Sequence, residues 1–208
     1  MKEIIVHPQE GIGDLTLGME KAEVDGLLKP SPWVKENFFA PKLSEVRYEQ
    51  YHVTYREGRA VEIQILGRFM EDCQILLGEL DLFRTAAEQV FAALRGLGPW
   101  DCDDEDTDMA RTYSFAALDL RLWRERAYHP KLEKETWFQA YSPESREDER
   151  RFRYFDTALV HTPEMALPTM EKCSMYLPGG GISSPQSDRK PTAEELEAIT
   201  QRYGLEPK

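Results

Sequence analysis

Two alternating runs that meet at Glu57-Gly58 constrain this chain more than any other feature. Over 46–55, Val53 and Tyr55 alternate with Thr54; over 60–66, Val61, Ile63 and Ile65 fall on one side. A period of two places successive side chains on opposite faces of a strand, and a short turn between two such runs makes an antiparallel hairpin. The same alternation returns where Leu118, Leu120 and Leu122 interleave with Asp119, Arg121 and Trp123. Further strands are expected over 111–115, 118–123, 135–141 and 152–160. The expected fold class is therefore α+β, built on antiparallel sheet.

Helical signals are fewer. Gly11-Ile12-Gly13 leads into Leu15-Thr16-Leu17-Gly18-Met19, and then Val24, Leu27 and Leu28 form one apolar stripe over 20–28. A second helix is expected where Thr85 and Glu88 have the spacing of a capping box. Its buried face would hold Ala87, Val90, Phe91, Leu94 and Leu97, with Gly96, Gly98 and Pro99 ending it. Leu80-Asp81-Leu82 before this helix echoes Leu15-Thr16-Leu17 before the first. The reading is two tandem strand–helix–antiparallel-strand repeats, about 1–70 and 71–162, with the helices packed on one face of the sheet. Trp33, Phe38 and Phe39 would sit in a loop over 33–41. The Pro/Gly-rich stretch 163–191 begins an extension to 208, and Thr192 with Glu195 caps a last helix carrying Leu196, Ile199 and Tyr203.

Composition narrows the partners. The 208 residues carry a net charge of −12 with 41% hydrophobic and 11% aromatic content. That is enough apolar material for a substantial core, and the acidic balance disfavours nucleic acid and anionic lipid. The three cysteines, Cys73, Cys102 and Cys173, are widely spaced and form no Cys-x-x-Cys pair. Together with a start lacking a signal-peptide apolar core, they lead to the expectation of a cytoplasmic protein. No run approaches the roughly 18 apolar residues of a membrane span.

Leu15 to Met19, Glu23-Val24 and Leu27-Leu28 resemble the Leu-x-x-Gly-Met, Glu-Val, Leu-Leu phrase of the bacterial superfamily that includes the beta-lactamase inhibitor protein and the outer-membrane assembly lipoprotein. Similar phrases occur in bacterial proteins that look like immunity proteins of polymorphic toxins. The resemblance implies helices on one face of an antiparallel sheet and binding to another protein through the free face. The chain departs from the pattern in its unpaired cysteines, the missing lipobox cysteine, and the extension from 163.

No catalytic motif stands out. Gly11-x-Gly13 has Thr16 where a dinucleotide fingerprint needs glycine, and no P-loop lysine follows. Asp101, Asp103, Asp104, Glu105, Asp106 and Asp108 form a dense acidic loop, but an EF-hand would need glycine at Asp106 and glutamate at Thr112. No metal or cofactor is expected. The loop reads as solvated, or as an acidic patch that meets a basic partner. Tyr113, Trp123, Trp137, Phe138, Tyr141, Phe152, Tyr154 and Phe155 crowd the second half. Of these, Trp123, Trp137 and Tyr141 are expected on an open sheet face beside Arg121 and Arg124, residue types common at interface hot spots. The segment 146–151 reads as a solvated hairpin tip. His7, His52, His129 and His161 are scattered without zinc-helix spacing.

Three functions stay open. The first is a non-catalytic protein-binding module, an immunity protein neutralising a toxin, with Asp101, Asp103, Asp104, Asp106, Arg121, Trp123, Trp137 and Tyr141 as contacts and a basic toxin domain as partner. The second is a small-molecule binder or enzyme with its site in the sheet concavity, using His52, His129 or His161. The third is a self-associating structural module.

Overall fold

A computed structural model describes residues 2–29, 31, 37–40 (backbone alone), 43–67, 72–166, 169–170 and 172. The chain runs through β1 (Lys2–His7), β2 (Gly11–Ile12), β3 (Leu15–Thr16) and α1 (Lys21–Leu27). Next come β4 (Asn37–Ala40), β5 (Leu43–Arg47), β6 (Tyr51–Arg56) and β7 (Arg59–Leu66). β8 (Cys73–Leu77) and β9 (Leu80–Asp81) precede α2 (Ala87–Leu94). β10 (Trp100–Cys102), β11 (Thr112–Phe115) and β12 (Leu120–Trp123) follow, then α3 (Thr136–Gln139), α4 (Pro143–Arg150) and β13 (Thr157–His161).

These strands make two sheets. The smaller has the order β3-β2-β1-β8-β9, and the larger β10-β11-β12-β13-β7-β6-β5-β4. Pairing is antiparallel except between β1 and β8, where Ile4 lies beside Ile75 in a parallel ladder. The class is α+β, as expected, with two open sheets.

The hairpin of β6 and β7 forms where the alternation places it. Val53 pairs with Ile63 and Tyr51 with Ile65. Glu57 and Gly58 both have positive φ, 52° and 80°, the requirement of a type I′ turn whose twist matches the strands it joins. One expectation changes in detail. The register slips between Thr54 and Tyr55, so that Ala60, not Val61, faces Tyr55 and joins the main core. The extra residue of a β-bulge breaks the period of two on which the alternation rests.

The main core lies between the sheets. Ile4, Val6, Ile12 and Leu15 from the smaller sheet join Val53, Ile63, Leu120, Leu122 and Val160 from the larger. β2 and β3 lie against β7. The smaller sheet thus takes the place that the helices were expected to fill. The helices are not gathered on one face: α1 buries Val24 alone, α2 buries Ala87, Val90, Phe91 and Leu94, and α4 buries nothing. At seven or eight residues apiece, α1 and α2 are too short to cover an eight-stranded sheet. The tandem repeat is not confirmed. β1 has two strands beyond it and β8 has one, and strands from both stretches share both sheets.

Several local expectations are corrected. The segment expected as a strand over 135–141 holds α3 instead; Trp137, Phe138 and Tyr141 sit at helical spacing and pack with Tyr128, Leu132 and Met109 in a second, smaller core. The hairpin tip expected over 146–151 is α4, with Ser142 as N-cap and Pro143 at its first position. The strand expected over 152–160 is confined to β13, and 151–153 is a 3-10 turn. Part of the loop expected over 33–41 is the edge strand β4, whereas Trp33 lies outside the described residues.

No capping box forms at α2. Ala86 is the N-cap, and Glu88 accepts hydrogen bonds from Arg153. Leu97, expected in the core, is 58% exposed beyond the end of that helix. Thr192, Glu195, Leu196, Ile199 and Tyr203 lie outside the described residues. No described helix is long and apolar enough to cross a membrane.

Candidate functional site

Strand pairing places a row of side chains on the face of the larger sheet away from the main core. His52 stands beside Gln64, Gln64 beside Leu159, Leu159 beside Arg121, and Arg121 beside Ser114. One step along, Leu66, Thr157, Trp123 and Thr112 form a parallel row. Alternation on β12 explains the split: Leu120 and Leu122 are fully buried, and Arg121 and Trp123 project the other way, half-buried. Two of the expected contact residues therefore meet on one face.

Between these rows lies a groove of about 460 Å³, lined by Gln64, Thr112, Arg121, Trp123, Thr157 and Leu159. Arg121 is the one ionisable side chain in that lining. Its Nε and Nη2 are shut off from solvent and have no hydrogen-bond partner among the described residues. Burial lowers its pKa from the ordinary arginine value, with Glu62 opposing the shift. A guanidinium enclosed without partners is costly, because a buried charge needs both pairing and hydrogen bonds.

Arg146 also has an enclosed Nε without a partner, but among the described residues Arg121 is the arginine with two such nitrogens, and it lies in this groove. A second groove, of about 490 Å³, holds Arg150, Arg151 and Arg153. There Arg150 pairs with Glu133 and Glu147, Arg151 with Asp148, and Arg153 with Glu88.

Arg124, expected on the open face with Arg121, is buried at 1% exposure. Its Nε donates to Ala110 O at 3.0 Å and its Nη2 to Asp108 O at 2.8 Å. Its Nη1 reaches Tyr128 O and Phe152 O at 3.3 and 3.5 Å. This arginine ties together the loops around β12.

The acidic loop is internally organised. Asp103 accepts from Arg111 N, Thr112 N and Thr112 Oγ1 at 2.8, 3.0 and 2.8 Å. Asp104, buried, accepts from Asp106 N at 2.9 Å. Asp101 accepts from Cys102 N and Met170 N, at 2.9 and 2.7 Å. Asp106 and Asp108 hold the Lys131 ammonium at 2.6 and 3.1 Å. Burial opposes charging of Lys131, but these two carboxylates outweigh it and raise its pKa. No group of three or more possible metal ligands occurs among the described residues.

Trp137 and Tyr141 lie with Phe138 in the second core, ring centroids 5.6 to 6.1 Å apart, away from the Arg121 groove. Among the described residues, His52, His129 and His161 each have separate contacts. His52 lies 3.6 Å from Glu45, His129 accepts from Lys131 N, and His161 is buried with Nδ1 at 2.9 Å from Thr162 O.

Sequence reasoning passed over Gln64, Leu159, Thr157 and Thr112. Their signal was present in the alternation of β7, β11 and β13, but no local pattern says which strands will be neighbours. Compared with known protein families, curated proteins and solved structures, the chain matches none.

Proposed function

We propose that this chain is a protein-binding module whose contact surface is the outer face of the larger sheet, centred on Arg121 and Trp123. The observation that carries this reading is the unpartnered Arg121 guanidinium in an open groove, flanked by Trp123 and Leu159. Aromatic and arginine side chains on a preformed surface are the groups from which binding hot spots are made. The resemblance of the Leu15 to Leu28 phrase to inhibitor and immunity proteins supports the same direction, with a toxin domain as the partner class. The net charge of −12 suits a partner that is basic overall. Asp103 and Asp104 are engaged within their own loop, so the sheet face supplies the main contact and Asp106 is at most a rim charge.

The test is affinity capture from the native lysate with the full chain and a Leu159→Asp variant. A single stoichiometric protein captured by the wild type and lost by Leu159→Asp, with an unchanged melting curve, supports the reading. Equal capture by both chains, or none by either, overturns it. The groove volume also falls in the range of small-ligand pockets. That favours a second reading, a small-molecule site on the same face.

A further inference from the structure

We propose that Arg121 is the receptor for one carboxylate side chain of the protein partner, an aspartate or glutamate on an extended segment laid across the groove beside Trp123. This rests on the protein-binding reading above and adds the chemistry of the occupant.

The argument starts from an imbalance. The chain as a whole carries an excess of 12 negative charges, yet the groove is lined by one cation, one amide, two threonines and two apolar side chains. Glu62 acts on Arg121 at a distance but makes no ion pair with it among the described residues. Arg150, Arg151 and Arg153 have their carboxylates in place. Arg121 alone of these four is left with two enclosed nitrogens unsatisfied. Nη1 is not among the enclosed atoms and is the nitrogen a carboxylate meets first; a guanidinium that then swings outward presents the planar fork that matches it in two-point contact. The groups around it complete the fit. Gln64 can donate to the same carboxylate, and Trp123 and Leu159 receive the aliphatic stem and the neighbouring residues of the segment.

The arrangement also assigns specificity. Long-range attraction favours a basic partner, whereas the groove demands one acid at one place. A partner lacking that acid would seal an unpaired guanidinium into the interface, which costs affinity more than a missing contact does.

A structural role for Arg121 and a receptor role make opposite predictions in the absence of a partner. An unpaired buried charge destabilises the free protein. Arg121→Gln should therefore melt at the same temperature as the wild type or higher. A lower melting temperature would mark the guanidinium as structural and overturn the proposal.

Binding is tested on the full 15N-labelled chain by NMR of tryptophan indole and arginine Nε–H signals. Trp123→Phe and Arg121→Lys assign the two resonances. The probes are acetyl-Val-Thr-Glu-Val-Thr-amide, its Gln counterpart, and succinate. The Glu peptide is expected to shift the Trp123 and Arg121 signals saturably, about tenfold more tightly than the Gln peptide, the advantage of a charged over a neutral acceptor. That advantage should vanish in Arg121→Gln. Equal binding of both peptides, no saturable shift from either, or succinate binding as tightly as the Glu peptide would each overturn the assignment to a partner side chain. Failure here remains distinct from failure of the wider reading. Loss of capture by Leu159→Asp with full capture by Arg121→Gln removes the carboxylate and keeps the face; full capture by both removes the face as well.

Discussion

Replacing Arg124 by methionine should destabilise the protein by about 3 kcal/mol, because the guanidinium's partners are carbonyls that no side-chain substitution removes. Arg124 is 1% exposed and donates to Ala110 O, Asp108 O, Tyr128 O and Phe152 O. The bonds at 3.0 and 2.8 Å carry most of the effect, the 3.3 and 3.5 Å contacts less. A bond from a charged donor contributes roughly 1.5–3 kcal/mol, and a buried acceptor left unpaired costs about 1–3 kcal/mol. Removing the guanidinium also removes its own desolvation cost, which offsets part of that sum. In a domain of this size the net loss corresponds to a fall in Tm of about 6–12 °C. Methionine retains much of the apolar stem, so the volume under Phe155, whose ring centre lies 6.0 Å from the guanidinium carbon, stays largely filled. Urea titration followed by far-UV circular dichroism measures the loss. Arg124→Lys should recover little of it, since one ammonium cannot span the four carbonyls. A loss under about 1 kcal/mol for Arg124→Met would refute the claim that this side chain organises the loops.

Gly11→Ala should be severe and Gly26→Ala mildly favourable in thermal melts. A methyl at Gly11 would lie 1.9 Å from Leu15 O, whereas one at Gly26, inside α1, meets nothing within 4 Å, and alanine gains roughly 0.5–1 kcal/mol over glycine in a helix. Acid titration should expose Asp25. Burial pushes its pKa up, but hydrogen bonds from Lys21 and Tyr48 outweigh this and hold it below the ordinary 3.8. A depressed folded-state value stabilises the protein above the unfolded value, and the benefit is lost as pH falls through the folded one. Asp25→Asn should therefore show a shallower loss of stability below about pH 4, and parallel curves would contradict this. Asp103→Ala should cost about 1–3 kcal/mol in chemical denaturation, because three donors lose their acceptor. Asp106→Ala, which loosens the exposed pair with Lys131, should cost less than about 1 kcal/mol.

The parts legible from sequence are those whose signal is local. The β6–β7 hairpin declares itself because Glu57-Gly58 takes a turn whose twist matches both runs, even though the bulge at Thr54/Tyr55 turns Val61 out of the expected face. β12 does so over Leu120–Trp123 only: of the strand expected over 118–123, Leu118 ends a 3-10 turn and Asp119 takes a left-handed backbone at φ 44°. α3 was misread because Trp137, Phe138 and Tyr141 combine strand-type residues with helical spacing, and burial in a second core decided between them. α4 had a readable start, Ser142 before Pro143 with Glu144 in the first turn, but its charge density resembled a solvated turn. Arg121 and Trp123 could be placed on one face from β12 alone. Gln64 and Leu159 could not be added, because their nearness depends on β13 inserting between β12 and β7. The fate of Arg124 was legible in the same alternation: three residues from Arg121, it falls on the opposite side with Leu120 and Leu122 and is buried like them, although its charge argues for the open face.

That insertion has a consequence for how the molecule comes into being. β13 is the last described strand in the chain yet sits in the middle of the larger sheet, its Val160 bonded across to Ile63 on one side and Leu120 on the other. Until it arrives, β4 to β7 and β10 to β12 have no ladder joining them, and two long apolar edges stand open. A keystone strand made late lengthens the interval in which those edges can pair with another chain. It also makes docking of residues 157–161, more than the early hairpin, the step that commits the groove face to exist, since Arg121 and Gln64 become neighbours only when Leu159 comes between them.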